Sequence, residues 1–184
     1  MITEEKITAA AKNYAEALID LAKDNEITYD ELEKDLKTAL DAYNVSDDMP
    51  SVLNNPSINL EVKTDIVKSI FKSRVSDKVI NFLIILVEKN RMSEFPQICR
   101  QFKMNLNEIN NIQPVTVTSA IELSKEQKEQ IVEKLSQKLK KTIEPSWKTD
   151  DGIIAGLMIK IYDNIIDMSV KNRINKLNKR LMLK

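Results

Sequence analysis

The spacing of apolar residues changes once along this 184-residue chain, at residues 107–114. Before that stretch, apolar residues recur three and four positions apart, which is typical of helices packed on a core. After it, residues 115–118 (VTVT) and 157–161 (LMIKI) alternate in the way that strands do. The asparagine-rich stretch NEINNIQP itself is typical of a linker or domain boundary. We therefore predict a mainly α chain: an N-terminal six-helix bundle (1–108), then a smaller mixed α/β domain with a β-hairpin (109–184).

Several helix ends are marked in the sequence. Residues 28–31 and 124–127 have the composition of capping boxes, and Asn59 is placed to cap the fourth helix. The sequence SDDMP at 46–50 predicts a turn after the second helix. The residues predicted to face inward from the fourth and sixth helices are Val62, Ile66, Ile70, Phe71, Phe95, Ile98, Phe102, Leu106 and Ile109.

The charges divide at the same boundary. The chain has 28 basic and 28 acidic residues, so it has no overall polyelectrolyte character. Residues 1–110 hold 14 basic and 19 acidic residues, a net charge of −5, whereas residues 111–184 hold 14 and 9, a net charge of +5. An acidic helical half and a basic mixed half indicate two domains.

The composition argues against an enzyme. The chain has no histidine, which is the commonest general base and metal ligand, and its only cysteine is Cys99. We expect Cys99 to be a packed core thiol, and we expect no catalytic residue, cofactor or metal site. A hydrolase using a carboxylate pair such as Asp150 and Asp151 stays open as an alternative.

No stretch of the sequence has the length of a membrane span. The longest apolar run, residues 79–87, is interrupted by Asn81 and is far shorter than the ~20 residues that a span requires. The N-terminal residues include acids and lack the apolar segment of a signal peptide. These features predict a chain that stays in a reducing, cytoplasm-like compartment.

The two glycines of the chain, Gly152 and Gly156, lie close together. A phosphate-binding loop would follow them with Lys and Ser or Thr before a helix, but here a strand-like segment follows. We predict instead that Gly156 permits close approach of another backbone, and that 163–164 forms the turn of the hairpin.

An ordered set of motifs runs through both halves of the sequence. It consists of residues 14–18, 81–83, 88–91, 119–123, Asp150, 153–156, 166–167 and 169–170. This set resembles the pattern of F-type ATP synthase delta subunits, whose mitochondrial relative is the oligomycin sensitivity-conferring protein. The family often has glycine where this chain has Ala155, Tyr162 and Met168.

The resemblance implies a non-catalytic stator subunit at the top of the peripheral stalk, on the cytoplasmic side of the bacterial cell membrane. Such a subunit resists torque during proton-driven ATP synthesis and is a peripheral protein, present as a monomer within the complex. Its N-terminal domain binds the N-terminal helix of an alpha subunit. The matching groove positions are Tyr14, Ala17, Asn81 and Ile85. The alternative for Tyr14 and Ile85 is that they fill the core of the bundle.

The last segment of the chain allows more than one interpretation. Its apolar stripe is Val170, Ile174, Leu177 and Leu181, and the resemblance implies that the C-terminal domain meets the ends of the b subunits. The stripe is surrounded by Lys171, Arg173, Lys176, Lys179 and Arg180. The alternatives are a nucleic-acid-binding adaptor that uses this basic helix for phosphate contacts, and binding to a membrane surface.

Overall fold

The computed structural model of the chain describes residues 7–24, 27–45, 48–153, 155–170, 172 and 174. Within them, six helices and one 3₁₀ turn come first. Four strands that form one sheet follow, with a further helix between the first and second strands in sequence. The helices are α1 (Ala9–Lys23), α2 (Tyr29–Val45), α3 (Asp48–Asn54), α4 (Leu60–Phe71), α5 (Asp77–Glu88), the 3₁₀ turn (Met92–Glu94), α6 (Phe95–Ile109) and α7 (Lys125–Leu139). The strands are β1 (Ile112–Ser119), β2 (Thr142–Thr149), β3 (Leu157–Ile161) and β4 (Asn164–Asp167). A mainly α chain with a small α/β part is therefore confirmed.

The chain divides into two compact units, Met1–Leu106 and Asn107–Lys184. The first unit encloses one apolar core, to which α1 to α6 all contribute. Its largest fully buried side chains include Phe71, Phe95 and Phe102. The predicted caps are present: the Asn59 side chain accepts a hydrogen bond from Glu61, and the Thr28 hydroxyl accepts one from Glu31.

The prediction of a turn at 46–50 is wrong for residues 48–50, because they form the start of helix α3 (Asp48–Asn54). Pro50 lies in the first turn of this helix, where backbone N–H groups have no partner inside the helix, so its missing N–H removes no hydrogen bond. The positions 46 and 47 lie outside the described residues.

Two of the predicted inward residues are also wrong. Val62 is half exposed, because the buried row of α4 runs at four-residue spacing through Lys63, Val67 and Phe71, and Ile66 and Ile70 pack beside it. Ile109 is the last residue of α6 and is likewise half exposed. A spacing of 3.6 residues predicts that one side of a helix is buried. Where two neighbouring rows of residues are both apolar, the spacing does not decide which of them becomes the buried side.

The predicted linker at 107–114 is mostly regular structure. Helix α6 continues to Ile109 and β1 begins at Ile112, so only two asparagines separate them. Asn111 has a φ of 55°, a left-handed conformation that asparagine tolerates well after a helix. Pro114 lies in β1 outside the segment that pairs with β3, so its missing N–H does not disturb that ladder.

The sheet of the second unit has the strand order β2-β1-β3-β4. Strands β1 and β2 are parallel, and α7 lies between them in sequence; β1 with β3 and β3 with β4 are antiparallel. Helix α7 begins with the predicted capping box of Ser124 and Gln127. Its apolar residues pack against a core formed by Val115, Val117, Ile143 and Ile159, with Trp147 beside it.

Gly156 has the role that the sequence predicts. Its φ is +102°, and an added Cβ would lie 2.7 Å from the Met168 carbonyl oxygen. The hairpin turn is displaced from the prediction by one residue. Because Ile161 pairs with Asn164, the turn consists of Tyr162 and Asp163, and Tyr162 takes the positive φ (50°) that a tight two-residue turn requires.

Candidate functional site

A surface groove of about 530 Å³ lies between α1 and α5. The four residues predicted as a helix-binding site all line it, so the structure brings them together. The full lining is Tyr14, Ala17, Leu18, Asp20, Leu21, Asp24, Lys78, Asn81, Phe82 and Ile85.

Both helices that form the groove are held at their N-terminal ends by side-chain hydrogen bonds. The Thr8 hydroxyl caps α1 by accepting from Ala11 N–H at 3.1 Å, and it donates to the Glu94 carboxylate at 2.6 Å. At the start of α5, Ser76 N–H donates to the Asp35 carboxylate of α2 at 2.8 Å. Contacts from distant parts of the first unit therefore fix the two walls.

The apolar character of the groove comes partly from α5. This helix has more apolar residues than the side that faces the core can bury, so some of them lie at the surface. Six of them are buried, namely Val79, Ile80, Phe82, Leu83, Leu86 and Val87. Ile85 is left on the outer side with 44% of its surface exposed. The alternative that Ile85 fills the core is therefore wrong.

On α1, the groove residues lie beside the buried face rather than in it. Ala15, Leu18 and Ala22 are buried, whereas Ala17 is exposed and leaves room above the helix backbone. Tyr14 is half-buried, and its ring packs edge-on against Phe82. Tyr14 thus packs against the core and lines the groove at once.

The amide of Asn81 lies on the exposed side of α5, so this polar group meets water and does not interrupt the core. The groove is also lined by charged residues that the sequence did not indicate: Asp20 on α1, Asp24 directly after that helix, and Lys78 on α5. The Asp20 carboxylate accepts a hydrogen bond from Lys23 at 2.9 Å, and this bond raises the pKa of Lys23. Asp20 and Asp24 follow Tyr14 and Ala17 at three- to four-residue spacing, and that spacing is the signal that could have identified them.

The second predicted site is only partly described. Val170 and Ile174 are exposed, by 38% and 47% of their surface, and Leu177 and Leu181 lie outside the described residues. The backbone enters this segment through a polar turn, in which Ser169 N–H donates to the Asp167 carboxylate and Asn172 N–H donates to the Ser169 hydroxyl.

The side chains considered for chemistry have structural roles instead. Burial raises the pKa of the Cys99 thiol to about 12, so the neutral thiol is the stable form in the core. The Asp150 carboxylate accepts a hydrogen bond from Gly152 N–H at 2.8 Å and thereby forms a local turn. The part of the chain that the structure describes contains no cluster of His, Cys, Asp and Glu suited to a metal ion. Among those same residues, no helix has both the length and the apolar character to cross a bilayer.

Comparison with known proteins gives consistent results. The family model "ATP synthase delta (OSCP) subunit" matches residues 10–181. The chain is 40% identical to the ATP synthase subunit delta of Lachnoclostridium phytofermentans, over 93% of this chain and 94% of that protein. It is 33% identical to the subunit of the same name from Clostridium botulinum strain 657, over 94% and 96%.

The fold is also similar to that of a solved structure. One chain of the Toxoplasma gondii mitochondrial ATP synthase hexamer superposes with a TM-score of 0.70 at 17% identity, over 95% of this chain and 98% of that one. These matches leave the nucleic-acid alternative without support. The chain belongs to the ATP synthase delta (OSCP) subunit family and is a non-catalytic peripheral-stalk component of an F-type ATP synthase.

Proposed function

We propose that the groove between α1 and α5 holds the N-terminal helix of an ATP synthase alpha subunit. The observation that carries this proposal is the exposure of Ile85 on a helix whose other apolar residues are mostly buried. Exposed apolar area on one side of a core helix is stabilised when a partner covers it. Complete burial of an isoleucine contributes about 1.5–3 kcal/mol, so covering the exposed part of Ile85 contributes about 1 kcal/mol.

The shape of the groove fits an amphipathic helix. Such a ligand places residues at i, i+3, i+4 and i+7 into an apolar groove. Tyr14, Leu21 and Phe82 supply apolar contacts, and the small side chain of Ala17 permits close approach of the partner backbone. Asn81 offers an amide to polar groups of the ligand.

The proposed division of labour follows the two halves of the sequence. Residues 1–108 act as one six-helix bundle that grips the catalytic head, and residues 109–184 contact the ends of the b subunits. The exposure of Val170 and Ile174 supports the second contact, which also includes Leu177 and Leu181. The subunit joins head and stalk as a monomer on the cytoplasmic side of the membrane, and it resists torque without a cofactor.

The groove is tested by enlarging its smallest wall residue. Ala17→Trp places an indole where the partner helix must approach, and water accommodates that indole in the free protein because Ala17 is exposed. We expect an unchanged melting temperature and at least about tenfold weaker binding of a synthetic alpha-subunit N-terminal peptide to the full chain, which corresponds to ~1.4 kcal/mol. The matched control is Lys37→Trp, at an exposed position of α2.

The two variants separate the possible outcomes. Tight peptide binding by a folded Ala17→Trp variant would remove this surface from the site. Equal weakening by Lys37→Trp would show a nonspecific effect of the added indole. If the unsubstituted chain does not bind the peptide, the proposed head-side contact is wrong.

A further inference from the structure

The second unit carries a long apolar depression beside α7, which we name the α7 trough. It consists of two adjoining grooves of about 440 and 320 Å³ that share Ile131, Lys134 and Leu157. One wall is α7, and the other is formed by β3, β4 and the segments that flank them, together with residues 119–121 and Leu123 between the end of β1 and α7.

Apolar residues of the trough are left unusually open. The apolar stripe of α7 packs on the sheet, yet none of the residues of this helix is fully buried. Across the trough, Ile166 and Met168 keep 45% and 48% of their surface exposed, and Ile121 at one end keeps 73%. Exposed apolar residues that are contiguous along one groove are typical of a docking surface, whereas isolated ones are common.

The charges along the trough have one sign. Among the described residues, the charged ones that line the two grooves are Lys134 and Lys138, one turn apart on α7. No carboxylate lines either groove within that part of the chain. A ligand that buries its apolar side here therefore gains from acidic residues next to the apolar stripe.

We propose that the α7 trough docks an amphipathic helix of another chain, whose apolar stripe is flanked by Asp and Glu. Helix α7 has 15 residues, which at 1.5 Å per residue is about 22 Å and accommodates roughly four turns of a ligand helix. The inference rests on the proposed function, since the partner is taken to be a subunit of the stalk. It adds a contact surface other than Val170 and Ile174, and it states the chemistry of the partner.

Charge favours another chain over the final segment of this one. Residues 175–184 carry Lys176, Lys179, Arg180 and Lys184 and no acidic residue. Placed in the trough, that segment would add positive charge next to Lys134 and Lys138. An acidic helix would instead form charge pairs with them at the edge of an apolar contact.

The test is photo-cross-linking within the assembled ATP synthase. A benzophenone amino acid replaces Ile166 in the trough in one preparation and Ile174 in another, and mass spectrometry identifies the linked peptide. We expect the residue-166 probe to link to a segment of a stalk subunit with an acid-flanked apolar stripe. Linkage to residues 175–184 or to a second copy of this chain, or no linkage at all, would overturn the inference.

The residue-174 probe separates this inference from the proposed function. If it links to a stalk subunit while the residue-166 probe does not, the trough inference fails and the stalk contact stands. If the probe at 174 links to no stalk subunit, the proposed stalk contact at Val170 and Ile174 is wrong, whatever the other probe shows.

A charge reversal gives an independent measurement. Lys134→Glu with Lys138→Glu should lower the affinity of the full chain for the purified stalk subcomplex at least about tenfold at low salt. The control pair, Lys125→Glu with Lys148→Glu, makes the same change of net charge at exposed positions outside the trough, and its affinity should change less than about twofold. An equal loss of affinity in both pairs of substitutions would show a general effect of net charge. It would contradict the proposal that the α7 trough is the docking surface.

Discussion

The ring of Tyr14 meets the ring of Phe82 edge-on, with their centroids 6.2 Å apart and their planes at 72°. Tyr14 belongs to α1 and Phe82 to α5, so this contact joins the two walls of the groove at its base. Phe82 is buried and Tyr14 is half-buried. The same aromatic pair therefore stabilises the first unit and shapes the surface that we propose as the binding site.

Tyr14→Ala should weaken both properties at once. The variant loses an aromatic contact of about 0.5–1.5 kcal/mol together with the burial of the ring. We expect the free energy of unfolding to fall by about 2–3 kcal/mol, measured by urea denaturation with helical circular dichroism, and binding of the alpha-subunit peptide to weaken. Unchanged stability would contradict the role of the ring pair.

Ile85→Ser should separate the two properties. Because Ile85 is exposed and lies outside the core, we expect the free energy of unfolding to change by less than about 0.5 kcal/mol. Peptide affinity should fall at least about fivefold, because the ligand no longer covers an apolar side chain. Calorimetric titration measures the affinity. Leu86→Ser, at the next and fully buried position, is the matched control and should unfold the first unit instead.

Gly156→Ala should destabilise the second unit. The added Cβ would lie 2.7 Å from the Met168 carbonyl oxygen and 3.0 Å from the Ser169 Cα, at a φ of +102°. Strain of this kind costs about 1–3 kcal/mol, and Trp147 in β2 reports it through its fluorescence during urea unfolding.

Gly152→Ala is the control for this substitution. The nearest atoms to its added Cβ belong to the exposed Asp150 side chain, the closest at 3.0 Å, and a side chain shifts more easily than the backbone atoms that meet a Cβ at Gly156. We expect a distinctly smaller loss of stability. Equal effects at both glycines would refute the close backbone approach at Gly156.

Cys99 should be unreactive in the folded chain. Burial raises the pKa of its thiol to about 12, against about 8.5 for an exposed cysteine. At pH 8 the folded chain should react with a disulfide reagent at least about a hundredfold more slowly than the chain unfolded in guanidinium, since the thiolate is the reacting form. Rapid reaction without denaturant would contradict the packing of this residue.

The same raised pKa predicts a dependence of stability on pH. The folded state retains the Cys99 proton at pH values where the unfolded state has lost it, so this contribution is complete below about pH 8.5 and declines as the pH rises towards about 12. Urea denaturation between about pH 8 and 11 should show a steeper loss of stability for the native chain than for Cys99→Ala. Parallel curves would count against the assignment.

The groove was predictable from the sequence only in part. Tyr14, Ala17, Asn81 and Ile85 are predicted from their positions in the family pattern, because the hydropathy of Tyr14, Ala17 and Ile85 does not distinguish them from residues of the core. Ile85 and Leu86 are adjacent and similarly apolar, yet one is half exposed and the other is fully buried. The sequence did not indicate Lys78 because every helix in the described part of the chain carries surface charges, and only the packing of α1 beside α5 places this lysine at a groove.

What the sequence by itself determined is local. The caps at Thr28, Asn59 and Ser124 and the alternation of β1 depend on a few neighbouring residues, so the interactions that produce them lie within one helical turn or one strand. Tertiary structure decided which of several apolar rows each helix buried, as Val67 over Val62 shows. It also decided that β1 pairs with both β2 and β3. These choices depend on contacts between residues that are far apart in the chain. The free energies of such contacts cannot be read from a local sequence pattern.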